Sequence, residues 1–360
     1  MPGLFQSLEI GRRALMTYQA NLQTIGHNIA NVNTPGFTRQ RVRLTSTFPE
    51  SNAIGQFGTG VTVADVRQVR DIFLGRQYRE ANKSLGNWTY RSKTLQQIES
   101  LFNEPGDNTL GTALNRFWDA WSDLSTNPDA TNRRAVLNRA NEMINHFKQL
   151  ATQLDDLYTA VDKDLDTMSK DINSLTSVIA QLNNQIAAQE LGGKTANDLR
   201  DKRDLMIDQL SNLIDVRTIE HSNGTVTVLM GAMMLVDGSD AFEISADVKL
   251  ESGVQKRSLT WQGTDVELAN NNGQLAGLLE TRDKIIPAYR EKLNELAKAV
   301  VTQVNALHRA GYGLDNTTGI DFFDPNFQDA ANLRINTEIT DDINKIAAAA
   351  VPDGYAQNAL

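Results

Sequence analysis

Apolar residues near the start of the chain fall on a single stripe. Leu8, Leu15, Tyr18, Leu22, Ile25 and Ile29 follow one another at a step of seven and then alternating threes and fours. Leu4 lies one turn ahead, and only Gly11 interrupts the series. This spacing predicts a helix with a narrow apolar face at the coiled-coil repeat, which pairs with another helix along its length. The stripe runs into Asn28-Ile29-Ala30-Asn31-Val32-Asn33-Thr34-Pro35-Gly36-Phe37, where asparagines, a proline and a glycine end the helix within one turn. A long adhesive helix with a specified ending points to assembly more than to catalysis.

Residues 37–44 alternate imperfectly and read as a short extended segment. Its strand partner is Val61-Thr62-Val63, reached through a glycine-rich loop at Gly55, Gly58 and Gly60. No Gly-Lys-Ser/Thr follows these glycines and no helix opens on them, so they read as a hairpin turn rather than a phosphate cradle. From about Asp71 the pattern turns helical. Ile72, Phe73, Leu74, Tyr78, Leu85, Trp88, Leu95, Ile98, Leu101 and Phe102 predict one helix ending before Pro105-Gly106. Leu110, Leu114, Phe117, Trp118, Trp121 and Leu124 predict a second, capped from Asp107 or Asn108; the aromatics at this spacing, Tyr78 and Trp88 of the first helix included, read as core rather than as a cofactor box.

A third helix is predicted from a cap at Asn127 and Pro128 at its first position. Its seam is Phe147, Leu150, Leu154, Leu157, Val161, Leu165, Met168, Ile172, Leu175, Ile179, Leu182 and Ile186. Two steps of four run together around Val161–Leu165, a stutter that straightens a left-handed supercoil. Up to Gly192 such a helix is about 95 Å long, the length of a strut. Ala196 to Leu213 forms a further helix, with the charge run Asp198–Asp204 on its wet side as ion pairs. Leu199, Leu205 or Met206, Leu210 and Leu213 point inward.

Residues 215–271 change character. Val216–Ile219 and Thr225–Val228 flank Ser222-Asn223-Gly224, a hairpin signal. Short strands continue at 236–238, 242–244, 248–250 and 259–261. The helical pattern returns at Gln274, with Leu279, Ile286, Tyr289, Leu293, Leu296, Val300, Val304 and Leu307 as its seam, and ends at Gly311. The tail, 312–345, is turn-rich. The fold class is therefore mainly α with a β-rich insertion: long helices in an elongated coiled-coil-like bundle, an N-terminal assembly helix and a small all-β outer domain.

Composition narrows the function. The net charge of −9 argues against general nucleic-acid binding, yet residues 1–44 carry +4 against −13 for the rest. That basic terminus suits an anionic surface or an export receptor as well as it suits solvated helix flanks. With no cysteine there is neither a disulfide nor a thiolate metal site. No apolar run approaches the roughly eighteen residues of a membrane span. Residues 1–31 are amphipathic, without the apolar core and cleavage site of a signal peptide, so any export reads an uncleaved terminus.

His27, His146, His221 and His308 have no partner at metal-ligand spacing and read as structural or surface residues. There is no Gly-x-Ser-x-Gly elbow and no Ser-x-x-Lys motif, and nothing nominates a carboxylate pair. An EF-hand at Asp315–Asp324 fails, because Gly319 at its sixth position puts Leu314 at the first; a weaker Ca²⁺ loop stays open. The sequence thus nominates no catalytic, metal or cofactor residue.

The stretch from Ser7-Leu8-Glu9 through Asn28, Asn31, Asn33, Thr34, Pro35, Gly36 and Phe37 to Gln40 resembles the N-terminal signature of the axial proteins of the bacterial flagellum. Three further stretches are similar to the hook-associated protein 1 family: Thr112–Trp121 followed by Asn127-Pro128, Leu199-Arg200-Asp201-Lys202-Arg203-Asp204, and Gly273–Leu279 running to Asn305 and His308. The resemblance implies a structural, non-enzymatic subunit at the hook–filament junction, outside the cell. It implies export by the flagellar type III apparatus with the help of a chaperone, and assembly with copies of itself in a helical ring, with hook protein and with a second junction protein.

On this reading residues 1–36 are an inner assembly helix, disordered in the monomer, and 37–70 are a β-hairpin joint. Residues 71–214 form a helical bundle, 215–272 a β-rich outer insertion, 273–311 the return helix and 312–360 a tail. The tail stops at Asn358-Ala359-Leu360, which resembles the first turn of the second heptad helix that closes family members, so the chain is expected either to be cut short of that helix or to diverge from the family there. The alternatives are a rod or hook protein, expected to lack the strut, and an adhesin or glycan-active domain at 215–271 carried on a flagellar scaffold.

Overall fold

The structure is a computed structural model that describes residues 2–52, 55–103, 106–251, 254–261, 264 and 272–352. Pro105 and the 358–360 segment, to which the sequence assigned a helix stop and a first helical turn, lie outside the described residues. The fold is mainly α with a β-rich segment. It divides into two compact units, Met1–Thr89 with Asp164–Gly277 and Tyr90–Lys163 with Leu278–Leu360.

The first unit opens with α1 (Pro2–Ala30). The antiparallel pair β1 (Gln40–Ser46) and β4 (Val61–Gln68) follows, with Gln40 opposite Gln68 and an irregularity at Arg43/Leu44. At its tip sit β2 (Glu50–Asn52) and β3 (Gly55–Phe57), so the glycines at 55–60 belong to a hairpin, as their spacing suggests. The long helix α2 (Ile72–Phe102) starts here and is capped by Asp71, whose Oδ1 accepts from the Phe73 and Leu74 amides at 2.8 and 3.3 Å. Helix α5 (Asn197–Leu213) packs beside it. Sequence periodicity assigns Tyr78 and Trp88 to a core. They are instead 57% and 63% exposed, on a stripe with Leu74 and Leu85. Periodicity fixes which residues share a face, and here that face is left uncovered.

The β-rich segment holds an antiparallel meander, β5 (Val216–Glu220), β6 (Val226–Met230), β7 (Met233–Asp237) and β8 (Asp240–Ala241). A hairpin of β9 (Ile244–Glu251) and β10 (Val254–Trp261) follows. The turn between β5 and β6 lies where Ser222-Asn223-Gly224 forecasts it. Phe242, expected within a strand, lies outside one and stacks on Trp261 with ring centroids 5.4 Å apart. Two asparagines of α4 (Ala130–Gln189) fasten these strands. Asn183 donates to the Val226 and Gly238 carbonyls at 2.8 and 2.7 Å and accepts from the Val226 amide at 3.1 Å. Asn173 brackets Ile244 in the same way, donating at 2.8 Å and accepting at 2.9 Å. Each side-chain amide thereby satisfies backbone groups at a strand end that burial would otherwise orphan.

Helix α4 bears out the strut. It runs 60 residues, about 90 Å at 1.5 Å per residue. Ten of the twelve seam residues are buried; Leu157 and Leu175 are half-buried. Its start differs from the expected cap. Pro128 disfavours helical geometry at Asn127, which is extended (φ −139°, ψ 93°) and closes the preceding helix instead. The cap passes to Asp129, whose Oδ1 accepts from the Asn132 amide at 2.8 Å.

The second unit is built on α3 (Leu110–Thr126), capped by the Thr109 hydroxyl rather than by Asp107 or Asn108. Around it lie the first part of α4, α7 (Ile286–Ala310) and the irregular tail, which includes α8 (Thr337–Asp341). The turn-rich tail supplies core: Phe322, Phe323, Leu333 and Ile339 are fully buried against Phe117 and Phe147. The return helix is not uniform. Helix α6 (Gly273–Glu280) passes through a π-helical turn, Thr281–Ile285, before α7 begins. A π turn changes the register of the stripe beyond it. Leu296 and Leu307 of the expected seam are exposed, while Ala297, Val301 and His308 are buried.

His308 fastens this tail. Its Nδ1–H donates to the Ile320 carbonyl at 2.7 Å, and its Nε2 accepts from the Ala347 amide at 3.0 Å, which fixes a neutral tautomer. Burial holds its pKa below the ordinary 6.5; Arg133 acts in the same sense, against the Ile320 carbonyl and Asp321. An unfolded chain takes up this proton near 6.5 and the folded chain resists it. The contribution of His308 to stability is therefore complete above 6.5 and is lost as the pH falls below it. The unfolding free energy from urea titration should fall between pH 6.5 and pH 5, by up to about 1.4 kcal/mol per pH unit. A His308→Gln chain should lack that component.

Candidate assembly surface

Helix α1 turns its polar face to its own chain. Thr17 is buried, its Oγ1 donating to the Arg13 carbonyl at 2.8 Å and lying 3.4 Å from the Val61 carbonyl. Arg13 Nη1 donates to the Thr59 carbonyl at 3.3 Å, and Gly60 lies against Ile10. The inward positions recur through Thr24 to Asn28 at helical spacing. The opposite face carries Leu8, Leu15, Tyr18, Leu22, Ile25 and Ile29. Their exposure ranges from 45% at Ile25 to 73% at Leu15, and Phe5, Met16 and Val32 extend the patch. A soluble helix ordinarily shows the reverse arrangement, and an apolar strip of this length marks a contact surface.

The ending of α1 is held by side chains. Asn28 Nδ2 donates to the Gln40 carbonyl at 2.9 Å and its Oδ1 accepts from the Gln40 amide at 2.8 Å, clasping the helix to the start of β1. Asn31 Nδ2 donates to the His27 carbonyl at 3.0 Å and to His27 Nδ1 at 3.2 Å, while its Oδ1 accepts from Thr34 Oγ1 at 3.2 Å. With Nδ1 accepting, the His27 proton sits on Nε2, 3.2 Å from Asp198. Phe37 meets the His27 ring edge-on at 5.3 Å. Gly36 has φ +79°, and a Cβ there would sit 3.0 Å from Leu205 Cβ, so both backbone angle and packing call for glycine. Asn33 and Pro35 stay exposed in the turn.

This ending rests on α5, on the charge run that the sequence places at a wet surface. The structure corrects that placement: Asp201 and Arg203 are buried. Asp201 Oδ2 accepts from the Thr38 amide at 2.9 Å and its Oδ1 from Gln68 Nε2 at 2.8 Å. Asp198 Oδ1 accepts from Gln40 Nε2 at 2.6 Å. Burial raises the Asp201 pKa above its ordinary value, although the two bonds from Thr38 pull the other way. Interleaved charge looks solvated in one dimension. The partners of Asp201 come from residues 38–68, over 130 positions away, and those of Arg203 are Asn183 and Gly224; none leaves a signal in the run itself.

The remaining candidate chemistry stays dispersed. His221 Nε2 lies 2.8 Å from Thr227 Oγ1, and the Asp315 and Asp324 carboxylates accept from the amides of Thr317 and Asn326 two residues on, an ordinary turn arrangement. Among the described residues no three His, Cys, Asp or Glu side chains are grouped to hold a metal, and no helix is long and apolar enough to cross a membrane.

Comparison with known proteins identifies the arrangement. Residues 95–323 match the family model described as the flagellar hook-associated protein FlgK helical domain, and residues 8–38 match that of the flagella basal body rod protein. The flagellar hook-associated protein 1 of Bacillus subtilis is 34% identical over 359 residues, 90% of this chain and 71% of that protein. The chain belongs to the flagellar hook-associated protein 1 family. A second family member, from Salmonella typhimurium, is 30% identical over 85% of this chain, which spans 57% of that relative's length. In fold, the chain is similar to the flagellar hook junction protein FlgK from Burkholderia pseudomallei, with a TM-score of 0.59, 24% identity, and coverage of 69% of this chain and 46% of that one. The rod-protein match takes in the exposed stripe from Leu8 and the turn through Phe37. The helical-domain match takes in α3, α4 and α7.

Proposed function

We propose that the chain is a non-enzymatic structural subunit of the bacterial flagellum that assembles at the distal end of the hook as part of the hook–filament junction. The observation that carries this reading is the reversed amphipathic order of α1, polar face on its own chain and apolar stripe outward, in a member of the hook-associated protein 1 family. Leu8, Leu15, Tyr18, Leu22, Ile25 and Ile29 form the assembly seam, and its partners are copies of the same chain, hook protein and a second junction protein. The chain leaves the cell through the flagellar type III apparatus with the help of an export chaperone. Residues 1–36 are the inner domain, which orders on assembly, and 37–70 are its joint. The helices of 71–214 and 273–311 form the next layer, and 215–272 face outward.

Replacing Leu22 and Ile25 with Asp tests this reading. Incorporation into flagella should be abolished while the far-ultraviolet circular dichroism of the purified chain stays at the native level. In dilute monomer, residues 1–35 should exchange amide protons rapidly while 130–190 stay protected. Normal incorporation of the double variant, or protected amides across 1–35, would sink the proposal.

A further inference from the structure

Within the first unit, the end of β4, the opening turns of α2, the first half of α5 and β5 enclose a half-open cleft of about 410 Å³. Six arginines line it: Arg67, Arg70, Arg76, Arg79, Arg200 and Arg203. Only two carboxylates, Asp204 and Glu220, line it with them. Asp204 is shared, by Arg70 and by Arg79 Nη2 at 3.4 Å. Glu220 is taken by Arg200 Nη1 at 2.6 Å. Three further acids hold arginines from behind: Asp65 at 2.9 Å from Arg67 Nε, Asp208 at 2.6 Å from Arg79 Nε and Glu190 at 2.6 Å from Arg200 Nε.

After these pairings, Arg76 and Arg203 have no carboxylate among the described residues. They occupy opposite settings. Arg76 is exposed, and Arg203 is 2% exposed. One nitrogen of Arg203, Nη1, donates to Asn183 Oδ1 at 3.1 Å and to the Gly224 carbonyl at 2.6 Å, both neutral acceptors. Its Nε has no acceptor among the described residues. A guanidinium carries five donors in a fixed fork, and burying one without an anion is costly unless an anion arrives. Burial, and then the neighbouring Arg200, draw the Arg203 pKa down to about 10; burial and Arg79 lower that of Arg70. In both, burial leads and works against nearby carboxylates, Glu220 and Glu190 at Arg203 and Asp208, Asp201 and Glu220 at Arg70. A network closed on itself would pair its most buried arginine first.

We infer that this cleft binds a phosphate-type oxyanion, with Arg203 beneath it and Arg76, Arg70 and Arg200 around it, and with volume left for a group attached to the phosphate. Arginine forks match the geometry of such an oxyanion, and the site's low dielectric strengthens each bond. Bound there, the anion ties the β4–α2 connection to α5 and β5 in a single contact.

Isothermal titration of the full chain with inorganic phosphate, against chloride at equal ionic strength, tests the inference. One saturable site per chain is expected, with unfolding raised by about 2 °C at saturation. Arg76→Gln should weaken binding about tenfold and leave the unliganded melting temperature unchanged. Arg203→Lys keeps the charge but loses the fork, and should weaken it further. An absence of saturable heat, or binding in Arg76→Gln equal to that of the unaltered chain, would overturn the inference. Arg76→Gln alone decides if Arg203→Lys does not fold.

Discussion

Asp162→Leu should destabilise the second unit by about 3 kcal/mol, read as a lowered midpoint in urea unfolding followed by circular dichroism. Asp162 Oδ1 lies 3.0 Å from Arg282 Nη1, and the two side chains are 8% and 3% exposed. Arg282 comes from the π-helical turn, and Asp162 from the stutter of α4. Burial works against the guanidinium charge, but Asp283 and Asp162 outweigh it and hold the Arg282 pKa above its ordinary value. Removing Asp162 takes away the more buried of these two carboxylates and leaves the half-buried Asp283, at 2.8 Å, to offset the desolvation of the guanidinium. That remaining partner puts the loss at the lower end of the range for broken buried pairs. The double variant Asp162→Leu with Arg282→Met should recover most of it, because two apolar chains suit the same space. A double variant as unstable as the single one would show that the pair has a further role.

Gly86→Ala should cost about 2–4 kcal/mol in the first unit, although alanine is the better helix former by about 1 kcal/mol. A Cβ at Gly86 would lie 2.1 Å from the Asn212 carbonyl oxygen and 3.1 Å from the Gln274 amide nitrogen. The obstacle is backbone, which cannot swing aside as a side-chain tip can. Separating the elements would also strain the Asn82 Nδ2 bond to the Asp208 carbonyl at 2.7 Å and the Asn212 bonds to Asn82 at 3.1 and 3.2 Å. Gly11 is the control: a Cβ there meets nothing within 4 Å, so Gly11→Ala should be neutral or stabilising. Sterics decide the sign at one glycine and propensity at the other, and thermal unfolding of the two variants separates them.

The seam of α4 was legible because a rod that buries one face over 60 residues must repeat its apolar positions without a break. The stripe of α1 was legible for the same reason. Its exposure is not written in the pattern, which says only that the stripe pairs with another helix. Periodicity says which residues share a face and is silent about what covers that face, so Tyr78 and Trp88 of α2 read as core and emerged exposed. The π turn at Thr281–Ile285 escaped because one extra residue in a helical turn leaves no compositional mark. The burial of Asp201 and Arg203 escaped because their partners lie on other elements, 163 and 133 positions away for Asp201 and 20 and 21 for Arg203. Asn173 and Asn183, polar interruptions in a helical pattern, turned out to hold strand ends.

The β-rich segment leaves the helices and rejoins them at nearly one point. Gln274 Nε2 donates to Asn212 Oδ1 at 2.5 Å, and Gly273 passes so close to Leu213 that a Cβ would lie 2.6 Å from its carbonyl oxygen. The chain therefore goes out from Leu213 and comes back at Gly273 through a closed doorway, and α5 and α6 keep their places whatever hangs between them. With both ends pinned this closely, the entropy of closing the chain between them grows only slowly with its length, so insertions in exposed turns of the segment that avoid the Asn173 and Asn183 bonds should leave α5 and α6 in place.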